Sequence, residues 1–497
     1  MSSLHPLLRP YTPSDSNPFD TVKAAHLLNR AGFGGTEKEI EHVRSIGPAA
    51  ALDELLDFPD APAEEQSQTD LPDLSAIDGI PSSFQEYYRE IRNKSEADRK
   101  ELRERFNAAN QDVLMATSHW WMNRMAYGPH PLQEKLTLFW HGHFTSGAKE
   151  ERLTALLWQQ NELLRRYAAA NFGKAVHAVS RDPAMLDYLN NTQNRKEHPN
   201  ENYARELMEL FTLGIGNYTE TDVKQGARAF TGWSHDGDFF QFNAREHDYG
   251  VKTYLGYTGN FNGDDVCEII LRQPACAPFI ATELYRYFAS DNVDDSLRSA
   301  LGQLFLQNDY ELRPLLRTIF NSEGFYSDDS IGEQIKSPVQ LIAGTVRLLG
   351  VDMPPERELM ASLTQMGQVP FMPPNVRGWL GGRTWINTGT IFVRYNTGVW
   401  LAGGPGPGYV RGRAAGQRGY RIILRDNNDQ VTFAPVDDHA ESADELVDLW
   451  VNRLIQRPIE DHQREVLVNA VGDGYDNPNA ARKLVQLIVS MPEYQLC

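Results

Sequence analysis

Two histidines stand on either side of one glycine in FWHGHF, residues 139–144, within an aromatic frame. Imidazole is a common metal ligand and proton carrier, so His141 and His143 are candidates for either role. An extended backbone would project both side chains to one side, whereas in a helix they would diverge. Histidines near a helix C-terminus can also simply interact with the helix dipole. The motif therefore leaves a metal site and a structural role open.

Carboxylates are concentrated in NENYARELMELFTLG, residues 200–214. Asn200 suits a helix start and Gly214 a helix end. Glu201, Arg205 and Glu209 are spaced four apart and can form a ladder of ion pairs on one helical face. This spacing predicts an exposed charged row along the helix.

Asn202 and Glu206 border the apolar stripe of the same helix, so Glu206 is predicted to be half-buried. A half-buried carboxylate needs a cation, a hydrogen-bond donor or a proton, because burying an unpaired charge costs several kcal/mol. Arg228 on the following helix is one plausible partner. A structural ion pair and a ligand or acid–base role for Glu206 remain equally open.

A third polar stretch, FNAREHDYGVKTY (residues 242–254), has strand-like ends and contains His247 next to Asp248. A carboxylate cannot readily orient the histidine beside it in the chain, so each residue is expected to face a different partner. Either could bind a metal. The alternative is a loop in which Asp248 caps a turn and His247 is solvated.

The fourth stretch, FMPPNVRGWLGGRTWINTGTIFVRYN (residues 371–396), is rich in loop-forming residues. Arg377, Trp379 and Trp385 could line a pocket for a sugar-like or anionic ligand, with the indoles stacking and the guanidinium orienting. The same tryptophans could instead anchor a long loop onto helices. The residue types alone permit both interpretations.

Together these stretches favour a metal-dependent hydrolase, because mixed imidazole and carboxylate ligands suit borderline divalent ions that activate water. The predicted ligands of the divalent ion are His141, His143, Glu206 and Asp248. Proton transfer is assigned to Glu206, Glu209 and His247. Substrate contacts are assigned to Asn202, Arg377, Trp379 and Trp385.

Two other hypotheses stay open. A metal-free enzyme could use Glu206 and Asp248 as a carboxylate pair on a saccharide. A non-catalytic scaffold could instead use the central polar residues as a satisfied buried network. HExxH, paired CxxC, P-loop, GxSxG and Rossmann motifs do not occur in the sequence, which disfavours the enzyme classes that depend on them.

The elements that would position these residues are predicted to be helices. Apolar residues recur at helical spacing from Ser95 onward through most of the chain, whereas RGYRIILRDNNDQVTFAP has the alternation of a β-hairpin. The fold is expected to be mainly α, a large multi-helix domain with a small β-hairpin insertion. The predicted parts are a helical main domain over 1–402 with an acidic loop near 58–82, a Gly-rich loop and hairpin over 403–439, and C-terminal helices packing on the main domain over 440–497.

Composition narrows the partners. The formal charge of −19, from 67 acidic and 48 basic residues, repels nucleic-acid phosphates and anionic membrane surfaces. No apolar run reaches the roughly 18 residues of a membrane span, and no cleavable export signal is visible, so a cytoplasmic location is expected. The three cysteines do not form a disulfide framework.

Six motifs in this order resemble the bacterial domain-of-unknown-function family 1800. They are HLLNRAGFGGT, LTLFWHGHFTSG, NENYARELMELFTLGIGNYTETDVKQGARAFTGW, HDYGVKT, IKSPVQLIAGTVRLLG and PPNVRGWLGGRTWINT. The resemblance covers the chain from about residue 20 to its end. It implies a largely helical fold and no particular activity.

The resemblance also implies a partner. Similar proteins are often encoded beside a second uncharacterised family that looks like the alkaline phosphatase and sulfatase superfamily, which makes a sulfatase-like protein a possible partner. Many relatives carry export signals, whereas none is visible here, so a shared periplasmic role is in doubt.

Overall fold

A computed structural model describes residues 4–59, 90, 92, 94–148, 154–237, 239–404, 409–410, 421–422, 440–472, 475 and 478–497. Most of the predicted acidic loop near 58–82 lies outside these residues. The turn of the predicted hairpin, the NND sequence at 427–429, lies outside them as well.

The fold is mainly α, as predicted. The helices with their bounds are α1 (Thr21–Ala31), α2 (Glu37–Leu55), α3 (Glu96–Tyr127), α4 (Pro131–His143), α5 (Thr154–Arg166), α6 (Phe172–Ser180), α7 (Pro183–Tyr188), α8 (Asn202–Glu206), α9 (Glu220–Ala229), α10 (Gly263–Leu271), α11 (Cys276–Phe288), α12 (Asp295–Gln307), α13 (Leu312–Phe320), α14 (Pro338–Leu349), α15 (Glu356–Met366), α16 (Thr388–Leu401), α17 (Ala443–Leu454), α18 (Asp461–Val471) and α19 (Pro478–Val489). None of the helices in the described part of the chain is both long and apolar enough to cross a membrane.

Local signals in the sequence fix many helix ends. Ser95 caps the long helix α3, with its Oγ accepting a hydrogen bond from the Asp98 amide at 3.2 Å. Proline occupies the first turn of α4, where the missing N–H costs nothing. The helices therefore begin where capping chemistry predicts, and the apolar faces between the caps form the core.

Two apolar clusters form this core. The first is built on α1, α6 and α10–α13 and includes Trp140, Phe211 and Trp233. The second joins α3, α14 and the C-terminal helices, and it includes Trp121 and Trp450. Helix α4 contributes side chains to both clusters, so its C-terminal end lies where the two meet.

The strands form three small antiparallel pairs in the described part of the chain. Strand β1 (Trp233–His235) pairs with β2 (Phe240–Phe242), and β3 (Lys252–Tyr254) pairs with β4 (Tyr257–Gly259). Strand β5 (Tyr409–Val410) pairs with β6 (Arg421–Ile422). The last pair lies inside the insertion predicted for 403–439, and it begins earlier in the chain than the sequence pattern suggested.

The helix expected over residues 200–213 is short and changes its winding. After α8 the chain continues as a π-helix over Leu207–Thr212, and the Leu213 amide reaches back five residues to the Met208 carbonyl at 2.9 Å. Gly214 follows the π-helix and its cap residue, and its φ of +81° favours glycine, in agreement with the predicted helix end. Such π segments are rare and are frequent at functional sites.

Candidate functional site

FWHGHF lies inside helix α4 and not in an extended segment, so its two imidazoles point in different directions. His141 is 1% exposed, and its Nε2 accepts a hydrogen bond from the Phe371 amide at 3.0 Å. His143 is only partly exposed, and its Nε2 donates to the Phe211 carbonyl at 2.9 Å. Each histidine therefore joins α4 to a different segment, His141 to the loop after α15 and His143 to the π-helix.

Both imidazoles are neutral near pH 7. Burial lowers the pKa of His141 to about 4 and that of His143 to about 4, because a charged ring loses its hydration there. The Nε2 atom of His141 is engaged as an acceptor. In neutral His143, the Nε2 donor leaves the lone pair on Nδ1.

The π-helix carries Glu209, which is held by two partners. Arg377 donates from Nη2 to Glu209 Oε1 at 3.0 Å, and the Tyr218 hydroxyl donates to Oε2. The predicted ladder therefore forms only in part. Arg205 pairs with Glu201 at 3.1 Å, but its other partner is Glu220 at 2.7 Å, not Glu209.

Glu206 is half-buried, as its place beside the apolar stripe predicted. Within the described residues no hydrogen-bond donor or cation contacts its carboxylate. The arginine suggested by the sequence, Arg228, pairs with Asp248 instead. Burial raises the pKa of Glu206, and the negative charge of Glu209 adds to this, against the opposing charges of Arg377 and Arg205.

A glycine turn places Arg377 beside this pair. Gly378 has φ of +66°, and a Cβ at this position would lie 2.2 Å from the Gly142 carbonyl oxygen, so only glycine allows the approach of the loop to α4. Trp379 packs next to it, with its ring 5.6 Å from the His141 ring. The histidine motif thus fixes the loop that supplies Arg377, a role that its residue types alone did not reveal.

We name the group formed by Glu206, Glu209, Tyr218 and Arg377 the carboxylate pair site. Tyr218 was not predicted, since it lies in the loop between the π-helix and α9. Asn202 is exposed at the start of α8, and its contact with a substrate stays a prediction. Trp385 is 8% exposed and packs within the core, the anchoring role that the sequence also allowed.

His247 and Asp248 belong to a different region, which we name the clamped turn (residues 247–252). Arg228 donates from Nε to Asp248 Oδ2 at 2.7 Å and from Nη2 to Oδ1 at 3.2 Å. The Asp248 carboxylate also accepts from the Gly250 amide at 2.7 Å, so it caps a turn. The Arg228 side chain lowers the pKa of Asp248 through these hydrogen bonds.

The charged side chains of the clamped turn all have polar partners. Lys252 is 1% exposed and donates from Nζ to the carbonyl oxygens of Asp248 at 2.6 Å and Gly250 at 3.1 Å. The groups that shift the pKa of Glu206 are Glu209, Arg377 and Arg205, and none of them belongs to this turn. The predicted pairing of Glu206 with Asp248 is therefore not what this geometry supports.

The predicted metal ligands do not fit a shared ion as they are placed. The lone pair of His141 Nε2 is taken by the Phe371 amide, and Asp248 is taken by Arg228. In the described part of the chain, no group of three or more His, Cys, Asp or Glu side chains could hold a metal ion. Binding of a divalent ion stays a prediction.

Comparison with known proteins identifies one family. The family model described as "Protein of unknown function (DUF1800)" matches residues 26–496, nearly the whole chain, which confirms the resemblance carried by the six sequence motifs. No curated protein and no solved structure matches the chain.

Proposed function

We infer a function from the site itself, because the chain belongs to the DUF1800 family, whose description assigns no activity. We propose that the protein is a hydrolase that cleaves glycosidic bonds with Glu206 and Glu209. The observation that carries this proposal is a pair of carboxylates three residues apart, Glu206 at the end of α8 and Glu209 in the π-helix, of which Glu209 is ion-paired and Glu206 is without a partner in the described residues.

Different surroundings divide the roles between the two carboxylates. Burial and the charge of Glu209 raise the pKa of Glu206, which favours a protonated acid. Glu209 is ion-paired with Arg377 and accepts from Tyr218, so both of its oxygens are held by donors. Pairs of acids whose environments differ in this way carry the proton donor and the charged partner of glycoside hydrolysis.

The substrate would lie over Arg377 and Trp379. The Arg377 side chain is 54% exposed, so its guanidinium retains donors that face solvent beyond the one given to Glu209. Trp379 is partly exposed and next to it in the chain, and an indole face suits the C–H face of a sugar ring. These two side chains support a saccharide over a small apolar ester.

In the proposed reaction, Glu206 donates its proton to the glycosidic oxygen as the bond to the anomeric carbon breaks. The Glu209 carboxylate stabilises the positive charge that develops at that carbon. Water then adds to the carbon and gives its proton to Glu206, which restores the starting state. Water is the only reactant besides the saccharide, and the atoms and protons of the two products account for both.

Hydrolysis of a sugar panel tests the proposal. The full-length protein would be incubated with 4-nitrophenyl glycosides of common hexoses, pentoses and uronic acids and with the corresponding oligosaccharides. We expect release of product from at least one sugar, lost in Glu209→Gln and lowered in Glu206→Gln. Turnover of 4-nitrophenyl acetate or phosphate but of no glycoside would contradict the saccharide assignment.

A cytoplasmic location and a sulfatase-like partner remain predictions. A protein of the sulfatase type would act on sulfated sugars or similar esters, so a shared saccharide substrate would give such a partnership a chemical basis. Co-purification of the two proteins from the native cell would test it.

A further inference from the structure

His247 has an acceptor atom with no partner. Its ring is 4% exposed, and Nδ1 lies 2.8 Å from the Thr231 carbonyl oxygen. A carbonyl only accepts, so Nδ1 carries the proton and Nε2 keeps the lone pair in the neutral ring. No hydrogen bond to Nε2 forms within the described residues, and Nε2 is not among the unpaired atoms sealed from solvent. This nitrogen is thus available to a ligand.

The clamped turn holds this nitrogen in one place. The Asp248 amide donates to Thr231 Oγ1 at 2.8 Å, which ties the turn to the residue that orients the imidazole. The bidentate pair of Arg228 with Asp248 and the two hydrogen bonds of Lys252 fix the following residues. A site with so many fixed neighbours loses little entropy when a ligand binds.

Two exposed aromatic rings lie close to the imidazole of His247. Phe242 lies 5.3 Å and Tyr249 lies 4.7 Å from the His247 ring, centre to centre. Their exposed fractions are 45% and 57%, so both rings are accessible to a ligand. We name these two rings with His247 the aromatic rim. It presents apolar faces around one hydrogen-bond acceptor.

We propose that the aromatic rim is a second saccharide-binding site. A sugar ring packs on Phe242 or Tyr249, and one of its hydroxyl groups donates a hydrogen bond to His247 Nε2. This inference rests on the proposed function for its choice of ligand. Sugars combine apolar C–H faces with hydroxyl donors, and the rim offers the complementary surfaces. A longer chain could occupy both sites, with its cleaved bond at Glu206.

Backbone contacts place the two sites on neighbouring segments. The side-chain oxygen of Asn194 accepts from the Asn200 amide at 2.9 Å, just before helix α8. The carbonyl of the same asparagine accepts from the Gly232 amide at 2.9 Å, next to the residue that orients His247. One residue thus links the start of the helix that bears Glu206 to the base of the aromatic rim.

Binding to an inactive protein tests this site apart from catalysis. The Glu206→Gln protein, full length, would be titrated by calorimetry with hexasaccharides, namely cellohexaose, chitohexaose, maltohexaose, xylohexaose and a hexamer of galacturonic acid. We expect one of them to bind, with affinity about 10-fold weaker in Tyr249→Ala and about 5-fold weaker in His247→Ala, as loss of one stacking contact and one neutral hydrogen bond implies. Phe239→Ala is the matched control, because Phe239 is 71% exposed on the same hairpin and makes no ring contact with His247.

The outcomes separate this inference from the proposed function. Binding that depends on the rim, in a protein whose wild type hydrolyses no glycoside, would support the second site and contradict the enzyme. Hydrolysis with a KM for the hexasaccharide unchanged in Tyr249→Ala and His247→Ala would overturn the second site alone. Absence of hexasaccharide binding, or weaker binding in Phe239→Ala to the same degree, would also overturn it, the latter by pointing to a general apolar surface that suits a protein partner.

Discussion

The carboxylate pair site and the clamped turn contain the same kinds of residue but differ in how their charges are matched. In the turn, one arginine serves one aspartate through two hydrogen bonds. At the carboxylate pair site, one arginine serves Glu209 while Glu206 has no partner in the described residues. The half-buried carboxylate without a partner, beside one that is ion-paired, is therefore the feature that distinguishes the carboxylate pair site from the clamped turn.

Burial alone does not produce this difference. Glu134 on α4 is 1% exposed, more buried than Glu206. Burial opposes its charge, but Arg165 and Arg124 outweigh that effect and lower the pKa of Glu134 to about 2. The indole of Trp121 also donates to it at 2.9 Å. The partners of a carboxylate thus decide whether it serves stability or acid–base chemistry.

The largest expected effect is on rate. Glu206→Gln should lower kcat/KM for an unactivated oligosaccharide by about 10³-fold, as loss of a general acid typically does. Asp248→Asn, the matched change at the clamped turn, should leave kcat for the same oligosaccharide within about 2-fold, because this carboxylate takes no part in the proposed steps. Equal losses of rate from the two changes would remove the distinction between the regions.

Stability should respond in the opposite order. Glu134→Gln should lower the free energy of unfolding by about 3 kcal/mol, because Arg124 loses its counter-charge and the buried Arg165 keeps only Glu162. Asp248→Asn should cost about 2 kcal/mol through weaker hydrogen bonds to a charged partner. Glu206→Gln should cost nothing or stabilise the fold. Urea denaturation of the three variants measures this order, and a large loss in Glu206→Gln would show that this carboxylate has a structural partner.

The pH dependence of stability sharpens the same contrast. A carboxyl whose pKa is raised in the folded state favours the protonated form, so its contribution is present at low pH and is lost as the pH rises above its unfolded pKa. Relative to the wild type, Glu206→Gln should therefore gain stability as the pH rises through the folded pKa of Glu206. The Asp248 pKa is lowered, so Asp248→Asn should lose relative stability over the range in which that carboxyl ionises. Thermal unfolding at several pH values would show whether the two trends have opposite signs.

Arg377→Met should shift the pH dependence of kcat/KM, an effect smaller than those on rate and stability. Removing this cation should raise the pKa of Glu206 further, because the guanidinium favours the charged form. With Glu206 as proton donor, kcat/KM falls as the pH rises above its pKa, so this limb of the profile should move to higher pH. Arg228→Met, at the clamped turn, should leave the limb in place. A shift to lower pH in Arg377→Met would contradict the charge assignment.

The smallest effect is expected from chelation. Dialysis against EDTA should leave glycoside hydrolysis unchanged, because the proposed steps use side chains alone. Elemental analysis of the untagged protein supplies the control. Loss of activity on chelation, restored by one divalent ion, would favour the metal-dependent hydrolase that the sequence first suggested.

The sequence predicted what depends on local periodicity. The mainly α fold, the onset of helical spacing at Ser95 and the half-buried position of Glu206 all follow from the spacing of apolar residues. The break at Gly214 follows from the freedom of glycine at positive φ. Each of these features is specified by a few residues that lie close together in the sequence.

The site itself depends on contacts that no local pattern records. Arg377 reaches Glu209 across 168 residues of sequence, and Arg228 turns to Asp248 because the β1–β2 hairpin returns the chain to α9. The change to π winding after Glu206 has no simple sequence signal. Three of the four predicted metal ligands, His141, His143 and Asp248, therefore each contact a separate structural partner. Glu206 has no such partner among the described residues.

The most direct test of Glu206 as the proton donor compares two leaving groups on the sugar that the protein hydrolyses. An activated 4-nitrophenolate leaves without protonation, whereas a sugar hydroxyl does not. If Glu206 is the proton donor, Glu206→Gln should lower kcat/KM by about 10³-fold on the oligosaccharide but by about 10-fold or less on the 4-nitrophenyl glycoside. An equal loss on both substrates, or no loss on either, would contradict it.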